Sequence, residues 1–168
     1  MHKASALFQI HLDVDTRVGA IRAQHPDWPC SKGCDHCCRQ LAAVPRLTAT
    51  EWDVLQQGLQ LLDASRLQEI RRAVAAVPEA AQGPIVCLML ERESGACPVY
   101  AHRPVACRTY GFYVQREKGL YCAEIEASVA QGELVDVVWG NHDAVDRELK
   151  ASGEARNLIE WFAQWPAE

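Results

Sequence analysis

Four cysteines fall within the nine residues from Cys30 to Cys38, in the stretch PCSKGCDHCCRQ (residues 29–40), and Cys37 and Cys38 are neighbours. Thiols set this densely constrain the chain more than any other feature, because they call for partners. Cys34 and Cys37 form a C-x2-C knuckle of the kind that wraps a metal ion, and Cys30, about one turn earlier, can point the same way. Four further cysteines follow: Cys87, Cys97, Cys107 and Cys122.

Their meaning depends on redox compartment. The N-terminal stretch MHKASALFQIHLDVDTRV carries Asp13 and Asp15 where a secretory signal needs its apolar run and cleavage site. The longest apolar runs of the chain are too short to span a bilayer. The expectation is a cytoplasmic chain whose thiols stay reduced, which disfavours four disulfides. Single cysteines are commonly small buried hydrophobes, but chance burial would scatter them. Metal binding explains both the clustering and the compartment. The net charge of −5 offers no attraction to nucleic acid or an anionic membrane, so neither is an expected partner.

A length of 168 residues suits a single domain, and no linker, repeat or low-complexity tract divides it. Leu7, His11, Val14, Val18 and Ile21 recur at helical spacing, and Pro26 and Pro29 stop that helix. The cysteine cluster reads as a structured loop that enters a helix near Cys37. Thr48 and Glu51 have the form of a capping box, followed by a Trp52, Leu55, Leu59, Leu62 stripe. A second stretch, with Leu67, Ile70, Val74 and Val77, ends at Pro78, giving an αα-hairpin or one kinked helix. In PIVCLMLERESGACPVY, Val86, Leu88 and Leu90 alternate with Cys87 and Met89, which predicts a β-hairpin bearing Cys87 and Cys97. A second hairpin is expected in TYGFYVQREKGLYCAEI, turning at REKG and ending near Cys122. Asn141 is a plausible cap for a helix in HDAVDRELKA, and Leu158, Ile159, Phe162 and Trp165 suit the buried face of a last helix. The fold class expected is α+β: small and mostly helical, with short β-hairpins organised around cysteine metal sites in residues 28–125.

All eight cysteines, Cys30, Cys34, Cys37, Cys38, Cys87, Cys97, Cys107 and Cys122, are candidate metal ligands. Thiolates are soft ligands suited both to zinc and to iron–sulfur clusters. Eight would fill two zinc shells, or hold a cluster with the remainder structural. Zinc is slightly favoured as the ion retained through aerobic purification. In an extended segment Cys38 does not share the direction of Cys37, so one centre or two remain open. A shell of four thiolates leaves no position for activated water, which argues against zinc hydrolase chemistry.

The segment CSKGCDHCCR resembles the cysteine-cluster signature of the YkgJ-like family, a zinc- or iron-chelating domain. Its second block resembles CPVYAHRPVACRTYGF, with Cys97, Tyr100, Arg103-Pro104 and Cys107-Arg108 at the matching positions. LTATEW and VCLML also resemble family positions. The family shorthand places two residues between the first cysteines, whereas three separate Cys30 from Cys34. The resemblance implies metal binding. A related motif in flagellin lysine N-methylases adds a protein-modifying enzyme to the alternatives, beside an iron–sulfur redox or electron-transfer protein. The chain contains no G-x-G-x-x-G loop, P-loop, H-E-x-x-H or nucleophile elbow, so no catalytic residue or organic cofactor is assigned.

His36 lies within the cluster, but eight thiols already fill two tetrahedral shells, so it reads as an exposed loop residue. His102 and His142 read as surface or capping residues. Arg103 and Arg108 flank Cys107, where guanidinium groups would offset the charge of a zinc–tetrathiolate. Tyr110, Phe112 and Tyr113 read as core and a dry wall for the site.

Overall fold

Apolar spacing and capping residues organise the chain into helices joined by very short strands, in a computed structural model that describes residues 3–78, 81–119 and 122–166. The order is α1 (Lys3–Gln24), α2 (His36–Arg39), β1 (Leu41–Ala43), β2 (Arg46–Thr48), α3 (Ala49–Gln60), α4 (Ala64–Ala75) and β3 (Gln82–Ile85). A 3-10 turn (Tyr100–His102) leads to α5 (Val105–Thr109), β4 (Tyr113–Val114), α6 (Ala123–Ala130), β5 (Gly140–Asn141), α7 (His142–Ser152), β6 (Ala155–Asn157) and α8 (Leu158–Gln164). The class is α+β, as expected. Among the described residues no helix is long and apolar enough to cross a membrane.

The chain forms two compact units, and neither is one continuous segment. One comprises Met1–Ser31 and Val105–Ser152; the other comprises Lys32–Pro104 and Gly153–Glu168. No single cut separates them, because the chain changes unit at 31/32, 104/105 and 152/153.

In the first unit, Leu7, Ile10, Val14 and Ile21 lie buried along one face of α1, which packs on α5 and α7. The helix ends before Pro26, as the proline demands. Trp28 then stacks on Phe112 with ring centroids 5.6 Å apart. Strands β4 and β5 pair in parallel, Tyr113 opposite Gly140. Gly140 is obligatory there, since a Cβ would collide with the Tyr113 ring. Asn141 caps α7, its Oδ1 accepting from the Ala144 amide at 3.1 Å.

In the second unit, the expected capping box starts α3. Thr48 Oγ1 accepts from the Glu51 amide at 3.4 Å, and Glu51 Oε2 accepts from the Thr48 amide at 2.9 Å. The stretch that follows is two helices, α4 beginning at an Asp63 cap whose carboxylate accepts from the Arg66 amide. Leu47, Leu55, Leu59, Ile70, Val74, Val99, Leu158 and Phe162 form one buried core. Strands β2 and β6 pair antiparallel, Arg46 opposite Asn157, and so return α8 to this core. Trp161 Nε1 seals the return by donating to the Leu47 carbonyl at 2.9 Å.

Both predicted hairpins are corrected. Strand β3 does not turn back on residues 88–97 but pairs antiparallel with β1, Leu41 opposite Ile85. Adjacent Met89 and Leu90 are both buried, which strand alternation forbids, and residues 91–96 close a turn through Glu91 N–H to Ala96 O. In the second case the tight turn exists, bridged between Gln115 and Gly119, but its flanks do not form a hairpin. Tyr113–Val114 pairs with β5 instead, and Ala123–Ala130, rich in strong helix formers, is helix α6. Leu120 and Tyr121 of that predicted hairpin lie outside the described residues.

Candidate metal centre

Antiparallel pairing of β1 with β3 builds the centre of the cysteine constellation. Just beyond the Leu41–Ile85 pair the two chains stay close, with residue 38 beside residue 87. The amide of Cys87 donates to the carbonyl of Cys38 at 2.6 Å. Their thiols are brought near one another, Cys37 and Cys87 each acting on Cys38. Helix α2 makes this possible. Residues adjacent on a helix differ by about 100° in direction, less than the reversal of an extended strand. The segment enters a helix around Cys37, as expected, so the limit that holds for an extended segment does not apply to this pair.

Crowding and burial hold the Cys38 and Cys87 thiols neutral. Cys38 is pushed up to about 12 by its hydrogen bond to Cys37 and by burial, with the bond from Cys87 opposing. Cys87 rises still further, through its hydrogen bond to Cys38 and then burial. Neighbouring thiolates would repel one another, so the group shares protons. A cation reverses that preference by stabilising all the thiolates together.

Cys97 completes the group. Turn 91–96 returns the chain, and both Cys87 and Cys97 pack on the core of the second unit. Burial raises the Cys97 thiol, Cys87 adds to the rise, and the Arg103 guanidinium opposes it. Arg103 thus acts on Cys97, which its position four residues before Cys107 did not reveal. It is held by stacking 3.4 Å from the Tyr100 ring centroid and by donating from Nε to the Tyr100 carbonyl at 2.8 Å.

Cys34 belongs to the same unit, half-buried two residues before α2. An unforeseen clamp fixes that segment. Arg39 donates from Nε to Asp35 Oδ2 at 2.6 Å and from a second nitrogen to the Arg92 carbonyl at 3.0 Å. The i,i+4 spacing of Asp35 and Arg39 on DHCCR was the available signal. Gly95 has φ +69°, and a Cβ there would press on the Asp35 carboxylate at 3.0 Å.

The other unit holds Cys30, Cys107 and Cys122. Cys30 Sγ donates to the Tyr110 carbonyl at 3.5 Å, beside Gly111, whose φ is +77°. Cys107 is exposed on α5, and Cys122 is buried at the N-cap of α6. Arg108, next to Cys107, pairs with both carboxylate oxygens of Asp15 at 3.1 Å. Facing them on α1, His11 is driven down to about 4 by burial and by Arg108, against Asp15. Its buried Nε2 has no hydrogen-bond partner among the described residues.

The remaining candidates take structural places. His36 is exposed at the start of α2. His102 packs on α3 at Gly58, where an added Cβ would lie 2.7 Å from the His102 Cβ. His142 Nδ1 lies 3.4 Å from Asp146 Oδ2. Phe112 and Tyr113 are buried in the first unit, as core.

All eight cysteines are free thiols. Among the described residues, no three His, Cys, Asp or Glu side chains are arranged as a finished metal shell. The donor chemistry nevertheless fits a thiophilic ion: soft sulfurs acting on one another, half-buried, with Cys87 and Cys97 packed against a core and a cation acting on Cys97. A family model described as "Putative zinc- or iron-chelating domain" matches residues 29–130. No curated protein and no solved structure matches the chain.

Proposed function

From the premise that this chain belongs to the CxxCxxCC family of zinc- or iron-chelating domains, we propose that it binds zinc through clustered cysteine thiolates. The observation that carries this reading is the juxtaposition of Cys37, Cys38 and Cys87 by α2 and the β1–β3 pair, beside Cys97. With Cys34, these five sulfurs exceed the four a tetrahedral shell requires. Cys30, Cys107 and Cys122 are further thiolate ligands in this reading. A bound zinc would draw the thiolates together and link distant segments of the chain, which is a stabilising role. Four thiolates close the shell, so the proposal assigns no catalytic residue, and the cytoplasm, where thiols stay reduced, is the compartment it suits.

Elemental analysis with an absorption spectrum, on protein purified without oxygen, tests the reading. Colourless protein with stoichiometric zinc is the expected result. Brown protein containing iron and acid-labile sulfide, bleached by dithionite, would replace it with an iron–sulfur redox function. Protein that retains neither metal and takes up neither after reduction would overturn metal binding altogether.

A further inference from the structure

Within the first unit, the β4–β5 pair and the start of α7 enclose an open recess of about 590 Å³. Its construction is explicit. The turn that follows β4 closes through the Gln115 amide to the Gly119 carbonyl at 3.1 Å and the Gly119 amide to the Gln115 carbonyl at 3.0 Å. The Arg116 amide then donates to Asp143 Oδ2 at 3.3 Å, bracing the turn on the first turn of α7.

The charge of this recess runs against that of the chain. Arg116, Lys118 and Arg147 line it, against the carboxylates of Glu117 and Asp143. Asp143 is engaged by a backbone amide, and none of the three cations forms an ion pair among the described residues. Three cations against two carboxylates leave the recess net positive, and an anion placed among the cations is favoured there. Trp139 forms another wall. Its ring is backed by Trp28 at 5.5 Å between centroids, so it is a supported surface rather than a loose side chain.

We propose that this recess binds a small phosphorylated molecule, with its phosphate among Arg116, Lys118 and Arg147 and its planar part against Trp139. The volume lies in the range of sites for small molecules, roughly 300–1,000 Å³, and exceeds what a bare phosphate needs. Guanidinium forks match phosphate oxygens in pairs, and the lysine supplies a point charge. The aromatic wall supplies what an inorganic anion cannot use. The site is independent of the metal reading.

Calorimetric titration of the full-length, metal-loaded protein tests it, with AMP and phenyl phosphate as probes and adenosine and inorganic phosphate as controls. The expected result is saturable binding of at least one probe, with a Kd of about 1 mM or tighter. Adenosine gives no binding. The R116E/R147E variant, altered only at exposed side chains, weakens the probe at least about tenfold. Its metal content and thermal transition stay unchanged. Absence of saturation by both probes would overturn the proposal, as would equal affinity for adenosine or an unaltered affinity in the charge-reversed variant. Inorganic phosphate bound as tightly as the better probe would overturn it too, since Trp139 would then contribute nothing.

Discussion

The amide of Cys87 donates to the carbonyl of Cys38 across 2.6 Å, and this single backbone contact joins residues separated by two helices. It brings together two thiols that the sequence places far apart, and each acts on the other. Replacing either sulfur by oxygen keeps the backbone pairing while removing a soft ligand. Cys38→Ser and Cys87→Ser are therefore expected to lose stoichiometric zinc, while metal-free far-ultraviolet circular dichroism stays close to that of the parent. Full metal retention in both variants would remove these residues from the shell.

Arg103 offers a graded test of the same site. Its charge acts on Cys97 without being a ligand, and its stacking on Tyr100 fixes its place. Arg103→Gln should weaken zinc by about tenfold, the low end of effects from residues that support metal ligands. Competition with a chromogenic chelator measures this. A loss as large as that of Cys87→Ser would mean that the arginine holds the fold of the site as a whole.

His11 predicts a dependence on acid. Its folded value of about 4 lies below the ordinary 6.5, chiefly through burial and then Arg108. Between those values the unfolded chain binds the extra proton, so stability rises with pH through that window. The stabilisation is complete above about 6.5 and is lost as pH falls through about 4. Thermal denaturation of His11→Gln should show a flatter profile between pH 4 and 6.5. The same slope in parent and variant would place the acid sensitivity elsewhere.

Gly58 and His102 form a packing pair of equal diagnostic value. A Cβ at position 58 would stand 2.7 Å from the His102 Cβ and Cγ. Gly58→Ala should therefore cost about 1–3 kcal/mol through overpacking. Truncating the partner makes room, so the G58A/H102A double variant should be more stable than the sum of the single changes predicts. Additive losses in urea denaturation would show that the alanine is accommodated by other means.

Local signals carried a definite part of this architecture. Leu7, Val14 and Ile21, the prolines after α1, the Thr48–Glu51 box and the Asn141 cap act within one or two turns, so their consequences can be read from neighbouring residues. Cysteine spacing likewise announced the chemistry, and a family model covers residues 29–130. Partner choice between strands was not legible in this way. The segments at 82–85 and 113–114 are extended, yet they pair with Leu41–Ala43 and Gly140–Asn141 rather than with their neighbours. Short strands carry too little pattern to specify a partner, and the choice falls to whichever edge the packed helices present.

The grouping of the thiols depends on that choice. Cys34, Cys37 and Cys38 lie together in the chain, but it is the β1–β3 pair that brings in Cys87 and turn 91–96 that returns Cys97. Arg103 acts on Cys97 for the same reason. Ligand type is a property of each residue and is written at its position. Which ligands meet is a property of contacts between distant segments, and those exist only once the chain has packed.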